Sequence, residues 1–205
     1  MKFYSLILIL FFVTQGRAFE LQSGDVVIQS FDCMECRLIQ DETNSPYVHS
    51  GLIVKDKEGV LKVAEALGPV GLTSVDLFFK RGTLNSVFRS KEIAELAPLA
   101  FDKFELKLTT VFFQDFWKLP FDSDFLWDNI SEDGKDKVYC AEFVAKLLNV
   151  FFNDKIVPVP MSYKKNYELW KKIFRGKVPE GLPGLSPAYF SRSEKFIEIK
   201  QRSND

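Results

Sequence analysis

The pattern of apolar and polar positions divides the chain into two halves. In the first half, short apolar or alternating runs are separated by turn residues, which is typical of strands. These runs predict strands at 23–29, 49–55, 60–66, 70–75 and 85–89. Two short segments with helical spacing, 33–40 and 77–81, lie between them.

The second half is dominated by longer segments with helical spacing. Apolar residues recur every three or four positions over 91–117, and the pattern predicts further helices at 139–152 and 164–174. A polar loop with aromatic residues spans 120–134, and a link rich in Gly and Pro (179–187) precedes a last strand at 196–199. Because the predicted strands are concentrated in the first half of the sequence and the helices in the second, we expect an α+β fold, with helices packed on an antiparallel sheet.

The turn Asp56-Lys57-Glu58-Gly59 fixes the register of one predicted hairpin. A three-residue loop with Gly59 in the left-handed position pairs Asp56 with Val60, and therefore Gly51 with Glu65. In that register His49 and Glu65 lie on one face, diagonal to each other and within side-chain reach. A loop of two or four residues would place them on opposite faces.

The first 18 residues have the features of a secretory signal peptide. Lys2 precedes an apolar run from Phe3 to Val13, and the small residues Gly16 and Ala18 follow. The run is shorter than the roughly 20 residues of a spanning helix. We therefore expect a signal peptide at 1–18, one domain at 19–205, no stable membrane span after signal removal, and export to the periplasm or the exterior.

Composition and charge exclude several classes of protein. The chain is 46% hydrophobic and 15% aromatic, with 21 Phe, so it can form a substantial core. The formal net charge of −1 does not indicate a nucleic-acid partner. One His and three Cys are too few to suggest a structural zinc site, and we expect no cofactor. The oligomeric state is not determined by the sequence.

The three cysteines form two groups. Cys33 and Cys36 make a C-x-x-C motif, which in an exported protein could close into a local disulfide or remain as inert thiols. A thiol oxidoreductase is a further alternative, and the sequence does not determine whether the pair is bonded. Cys140 stands alone at the start of the predicted helix 139–152. The positive end of a helix stabilises a thiolate, so Cys140 is the candidate nucleophile. If Cys140 meets His49 in the fold, His49 would be the base and Glu65 the carboxylate that orients it, but spacing alone does not bring positions 49 and 140 together.

Five short segments, in this order, resemble the permuted papain-fold cysteine hydrolases of the YiiX/YebB group, within the NlpC-type superfamily. The segments are Gly24-Asp25-Val26-Val27, Tyr47-Val48-His49-Ser50-Gly51-Leu52, Val63-Ala64-Glu65-Ala66, Pro120-Phe121-Asp122 and Tyr139-Cys140-Ala141-Glu142-Phe143-Val144. The resemblance implies a circularly permuted papain-like architecture. It also implies Cys140 as nucleophile, His49 as base and Glu65 as its partner, with the Cys140 N–H as one oxyanion donor.

The same resemblance places Tyr139 and Asp122 near the cleft, as candidate substrate-binding residues. Ser50 departs from the Val expected after the histidine. The implied activity is cleavage of an amide or ester bond, in a cell-wall peptide or an acyl lipid, through an acyl-enzyme. A non-catalytic binding module on the same fold is the alternative, and a C-x-x-C oxidoreductase is a further one. We expect most Phe residues to form the core, with an acyl pocket lined by 78–79 and 112–113 as the alternative.

Overall fold

A six-stranded antiparallel sheet forms the centre of the protein in a computed structural model that describes residues 20–203. The strand order is β4-β3-β2-β1-β5-β8, and a separate two-stranded ribbon pairs β6 with β7. The strands are β1 (Val26–Gln29), β2 (His49–Lys55), β3 (Leu61–Glu65), β4 (Gly71–Ser74), β5 (Leu84–Ser90), β6 (Val159–Pro160), β7 (Pro183–Gly184) and β8 (Phe196–Ser203). The α+β class predicted from the sequence is confirmed.

Helices connect and cover these strands. They are α1 (Met34–Thr43), α2 (Val75–Arg81), α3 (Lys91–Ala94), α4 (Pro98–Val111), α5 (Cys140–Asn149), α6 (Tyr167–Ile173) and α7 (Ala188–Arg192). One turn of π-helix, Phe112–Phe116, continues α4. The predicted signal peptide, 1–18, lies outside the described residues. None of the helices within 20–203 is long and apolar enough to cross a membrane.

The hairpin between β2 and β3 has the register predicted from its turn. Gly51 pairs with Glu65, and the Asp56 N–H donates to the Val60 carbonyl at 2.9 Å. Gly59 has a φ of +80°, the left-handed conformation that the three-residue loop requires. A Cβ on Gly51 would lie 2.4 Å from Val63 Cγ1, so only glycine fits at this position. The register places His49 and Glu65 on the same face of the sheet.

Successive side chains of a strand point to opposite faces of the sheet, and both faces of this sheet are apolar. On one face, side chains such as Val26 and Leu52 pack in a large core that includes most of α5. On the other, Val27 and Ile53 pack against α2. Phe78, Phe79 and Phe112 are buried in these cores, so the Phe pairs do not form an acyl pocket. A third cluster joins α1 to α6 through Leu38, Tyr163, Trp170 and Phe174.

The structure corrects the predicted helix at 91–117. That segment is divided into α3, α4 and a π-turn, with a break at 95–97. Pro98 causes the break because proline disfavours a helical conformation in the residue before it, and it begins α4 instead. The Gly/Pro-rich link also contains structure that the pattern did not predict, since β7 pairs with β6 and α7 follows.

Candidate active site

Cys140 begins α5, with its side chain at the boundary between the core and a surface groove. The preceding residue, Tyr139, is extended, and its N–H donates to the Glu142 carboxylate at 3.4 Å. The first intrahelical bond runs from the Phe143 N–H to the Tyr139 carbonyl, so the Cys140 N–H lies in the unpaired first turn. The thiol is free and 7% exposed. A thiol in this position is next to the positive end of the helix.

His49 and Glu65 form a buried pair across the β2–β3 hairpin. The His49 Nε2 lies 2.7 Å from Glu65 Oε2, and the two side chains are almost fully excluded from solvent. The ring of Phe31 stacks on the imidazole with centroids 5.5 Å apart. Because Nε2 is engaged by the carboxylate, Nδ1 is the ring nitrogen left for the thiol of Cys140, which lies close enough to His49 for each group to shift the pKa of the other.

Glu65 is itself held by residues that the sequence did not indicate. Arg81, at the end of α2, donates to Glu65 Oε2, and the hydroxyl of Thr73 in β4 donates to Oε1. The Arg81 Nε in turn donates to Gln29 Oε1 at 3.1 Å. Gln29 pairs with His49 between β1 and β2. Residues from three other strands and α2 therefore fix the carboxylate that orients the imidazole.

Charge interactions shift the pKa values of all three groups in the direction of an ion pair. Burial alone lowers the pKa of His49, but hydrogen bonds and charge interactions with Cys140 and Glu65 outweigh it and raise the pKa to about 9. Burial raises the pKa of Glu65, yet its bonds to His49 and Arg81 bring it down to about 2. Burial also raises the pKa of Cys140, but the contact with His49 lowers it overall. The directions of these shifts favour a thiolate beside an imidazolium.

Ser50 is a further residue at the sulfur. It follows His49 in β2 with its side chain turned to the α5 face of the sheet, where it is completely buried. Its hydroxyl has no hydrogen-bond partner among the described residues. The Ser50 N–H and hydroxyl both lie close enough to the Cys140 sulfur to lower the pKa of the thiol. The serine that departs from the expected Val therefore lies against the candidate nucleophile.

A largely apolar groove opens beside Cys140. It contains about 530 Å³ of empty space, including the part open to solvent. One wall is α1, and the other is the segment 161–187, which includes α6. Apolar and aromatic side chains predominate, and Glu42 is the one carboxylate among the lining residues, which include Ile39, Phe125, Met161, Tyr163, Trp170 and Leu185.

Tyr139 and Asp122, the two other residues singled out from the sequence, occupy different positions. Tyr139 lines the groove, and its hydroxyl accepts the Leu185 N–H at 2.8 Å, which attaches the far wall to the start of α5. Asp122 does not line the groove. It is completely buried, and its carboxylate accepts from the Leu126 N–H at 2.8 Å and from Asn129 Nδ2 at 2.8 Å. Asp122 thus organises the loop that carries Phe125 into the groove.

The C-x-x-C motif forms a disulfide between Cys33 and Cys36 at the start of α1. The sequence left open whether these two cysteines are bonded, and the structure joins them. The motif lies at the helix end, and neither cysteine lines the groove beside Cys140. Cys140 is therefore the single free thiol of a chain that has three cysteines.

A crystal structure described as that of the metalloprotein yiiX from Escherichia coli O157:H7 has a similar fold. The TM-score is 0.75 at 21% sequence identity, and the match covers 90% of this chain and 99% of that chain. No protein-family model and no curated protein sequence matches. Within residues 20–203, no three His, Cys, Asp or Glu side chains are grouped so that they could hold a metal ion.

Proposed function

We propose that this protein is an exported thiol hydrolase, or an acyltransferase of the same chemistry, with a circularly permuted papain-like architecture. Cys140 is the nucleophile, His49 the general base and acid, and Glu65 the residue that orients the imidazole. The observation that carries the proposal is the buried His49–Glu65 pair, with Nε2 and Oε2 2.7 Å apart, next to a free thiol at the start of α5. Similarity to YiiX supports the architecture.

The first half of the reaction forms an acyl-enzyme. The Cys140 thiolate attacks the carbonyl carbon of an amide or ester, and the carbonyl electrons move to oxygen. The N–H of Cys140 is suited to stabilise this oxyanion because it lies in the unpaired first turn of α5. When the tetrahedral intermediate collapses, the bond to the leaving nitrogen or oxygen breaks. The His49 imidazolium gives its proton to that atom, and a thioester on Cys140 remains.

The second half restores the enzyme. Neutral His49 takes a proton from water, or from another nucleophile, as that molecule attacks the thioester carbonyl. Collapse of the second intermediate breaks the carbon–sulfur bond, and the thiolate and imidazolium are recovered together. Glu65 stabilises the imidazolium throughout without taking its proton, as its low pKa of about 2 requires.

The groove favours an acyl lipid over a cell-wall peptide as substrate. Phe125, Met161 and Leu185 line it beside the nucleophile, and Glu42 is its one carboxylate. A peptide would need several hydrogen-bonding partners along its backbone, whereas an acyl chain gains free energy from contact with apolar walls. We therefore propose that the acyl part of the substrate is predominantly apolar.

Activated esters test the proposal whatever the natural substrate is. The protein is mixed with p-nitrophenyl acetate or p-nitrophenyl octanoate, and nitrophenolate release and intact mass are recorded together. We expect a burst of one equivalent, with the acyl group attached at Cys140 and faster acylation by octanoate. Cys140→Ala should give neither burst nor adduct. A non-catalytic binding module would give no adduct in either protein, and a preference for wall-peptide amides over both esters would reverse the substrate assignment.

Export itself is testable with the natural chain. The sequence of residues 1–18 and the disulfide between Cys33 and Cys36 both support an oxidising compartment. We expect the full chain, expressed in a Gram-negative host, to be recovered outside the cytoplasm with residues 1–18 removed. Uncleaved protein retained in the cytoplasm would contradict this assignment.

A further inference from the structure

Charge is distributed unevenly along the chain. Residues 155–182, here called the basic segment, contain seven Lys or Arg and two Glu, and therefore carry a net charge of +5. The chain as a whole has a formal charge of −1, so the remainder carries −6. One stretch of the sequence is thus strongly basic within an otherwise acidic protein.

The cations of the basic segment are available to a partner. All seven are exposed: Lys155, Lys164, Lys165, Lys171, Lys172, Arg175 and Lys177. Three of them are partly engaged: Lys155 donates to the carbonyl of Asn149 at 2.6 Å, Lys164 faces Glu180 at 3.7 Å, and Lys165 donates to the carbonyl of Asp41. The four cations in and after α6 form no ion pair with any residue that the structure describes.

Large apolar side chains are exposed among these cations. Val157 is 64% exposed and Val159 48%, and Leu182, which immediately precedes β7, is 46% exposed. Tyr167 and Leu169 of α6 are also more than 40% exposed. Exposed apolar residues scattered singly need no explanation, but five of them within one basic segment do.

The basic segment is also one wall of the groove beside Cys140. Met161, Tyr163 and Trp170 line the groove, and they alternate in sequence with the exposed apolar and cationic residues. The Met161 N–H donates to the Leu182 carbonyl at 2.9 Å, which places the exposed Leu182 beside a residue of the groove. A surface that binds this segment therefore contacts one wall of the groove.

We propose that the basic segment docks the protein on an anionic phospholipid surface. Lysines near such a surface contribute electrostatic attraction, while valine, leucine and tyrosine side chains insert at the boundary of headgroups and acyl chains. A soluble polyanion would account for the cations but would give no role to Val157, Val159 and Leu182. Docking brings the groove to the lipid, which gives the proposed acyl hydrolase direct access to its substrate, although binding itself does not require catalysis.

The test is sedimentation of the mature protein with phosphatidylcholine vesicles that contain or lack phosphatidylglycerol. We expect binding to the anionic vesicles alone, weakening as salt increases. Lys171→Glu with Lys172→Glu should reduce the affinity about tenfold or more, since each reversal removes an attraction to the surface and adds a repulsion. The matched control reverses two exposed lysines elsewhere, Lys80→Glu with Lys103→Glu, and should bind nearly as the wild type does.

A second pair of double variants tests the contribution of the exposed apolar side chains to vesicle binding. Val159→Ser with Leu182→Ser should weaken vesicle binding, whereas Leu99→Ser with Leu106→Ser on α4, where both residues are well exposed, should not. Cys140→Ala should bind vesicles like the wild type, so failure of docking and failure of catalysis are distinguishable. Equal binding to neutral and anionic vesicles, equal losses in test and control variants, or retention on dextran sulfate without vesicle binding would each overturn the proposal.

Discussion

His49 and Glu65 face each other from adjacent strands, with Nε2 of the ring 2.7 Å from Oε2 of the carboxylate, and both side chains are shielded from water. The pairing of Gly51 with Glu65 creates this relationship, since it places the two residues on one face and diagonal to each other. The contact fixes which ring nitrogen is free to meet the thiol. The proposed chemistry therefore depends on the register of a single hairpin.

Glu65→Gln should reduce kcat/KM by about 10- to 100-fold. His49, Arg81 and Thr73 all donate to the carboxylate, and a glutamine amide would present its own N–H group to one of these donors. The variant also loses the charge that stabilises the imidazolium. Steady-state hydrolysis of p-nitrophenyl octanoate measures the effect, and the loss should remain smaller than that of Cys140→Ala.

Glu105→Gln is the matched control, because Glu105 also accepts from a cation and a hydroxyl, those of Lys55 and Ser23, away from the groove. We expect this variant to keep wild-type activity. Equal losses in Glu65→Gln and Glu105→Gln would show that the first effect is not specific to the site.

The pH dependence of acylation should have an alkaline limit near pH 9. Contacts with Cys140 and Glu65 outweigh burial and raise the pKa of His49 to about 9, so above that pH the imidazolium no longer protonates the leaving group. Because the pKa of His49 is higher in the folded than in the unfolded protein, protonation of His49 also adds to the free energy of unfolding. This contribution is fully present below pH 6.5 and is lost as the pH rises through about 9. An amide substrate tests the limit best, because its leaving group requires the proton. A rate that stays constant well above pH 9 would contradict the assignment.

Ser50→Ala should make Cys140 less reactive at low pH. The buried hydroxyl has no hydrogen-bond partner among the described residues, and it lies close enough to Cys140 to lower the pKa of the thiol. Its loss should raise that pKa, so alkylation below the pKa of the thiol should slow several-fold. At alkaline pH, where the thiol is deprotonated in both proteins, the rates should converge.

Ser86→Ala provides the comparison for Ser50→Ala. Ser86 is equally buried, but its hydroxyl bonds to Tyr47 and Glu198 rather than to the sulfur. This variant should lose stability and keep the alkylation profile of the wild type. If both serine variants shift the profile, the effect of Ser50 is a general consequence of cavity formation.

Replacing Cys33 and Cys36 by serine should leave hydrolysis intact. Neither residue lines the groove, and the loop that the disulfide closes is short, so its loss should cost about 2 kcal/mol or less of unfolding free energy. The new hydroxyl at position 33 can also cap α1, where the Cys33 sulfur now accepts the Cys36 N–H. Activity and Tm are measured together; loss of activity with an unchanged Tm would favour the oxidoreductase alternative.

Local signals explain what could be predicted from the sequence. The turn at Asp56–Gly59 determines the β2–β3 register within a few residues, and the helix begun by Cys140 is a single amphipathic segment. The prediction of continuous helical structure over 91–117 was wrong because the apolar spacing continues across 95–97. Pro98 breaks the helix there, and periodicity does not detect such a break. The strands β6 and β7 pair through only two residues each, which is too few to produce a recognisable alternation of apolar and polar residues in the sequence.

The remaining parts of the site depend on contacts between distant segments. Arg81 reaches Glu65 only because α2 packs on the face of the sheet opposite α5, and no spacing in the sequence indicates this. Ser50 is visible in the sequence as a departure from the expected Val, but its significance depends on where α5 places Cys140. The groove unites α1 with residues more than a hundred positions away.

Alkylation of Cys140 by iodoacetamide at pH 6, followed by intact mass, tests the central claim most directly. Because Cys33 and Cys36 are joined, Cys140 is the single thiol that reacts, and the same protein unfolded in urea gives the rate of an unactivated thiol. If His49 holds the sulfur as a thiolate, native protein should react at least about tenfold faster than unfolded protein, and His49→Ala should abolish the difference. A native rate equal to or below the unfolded rate would contradict the account.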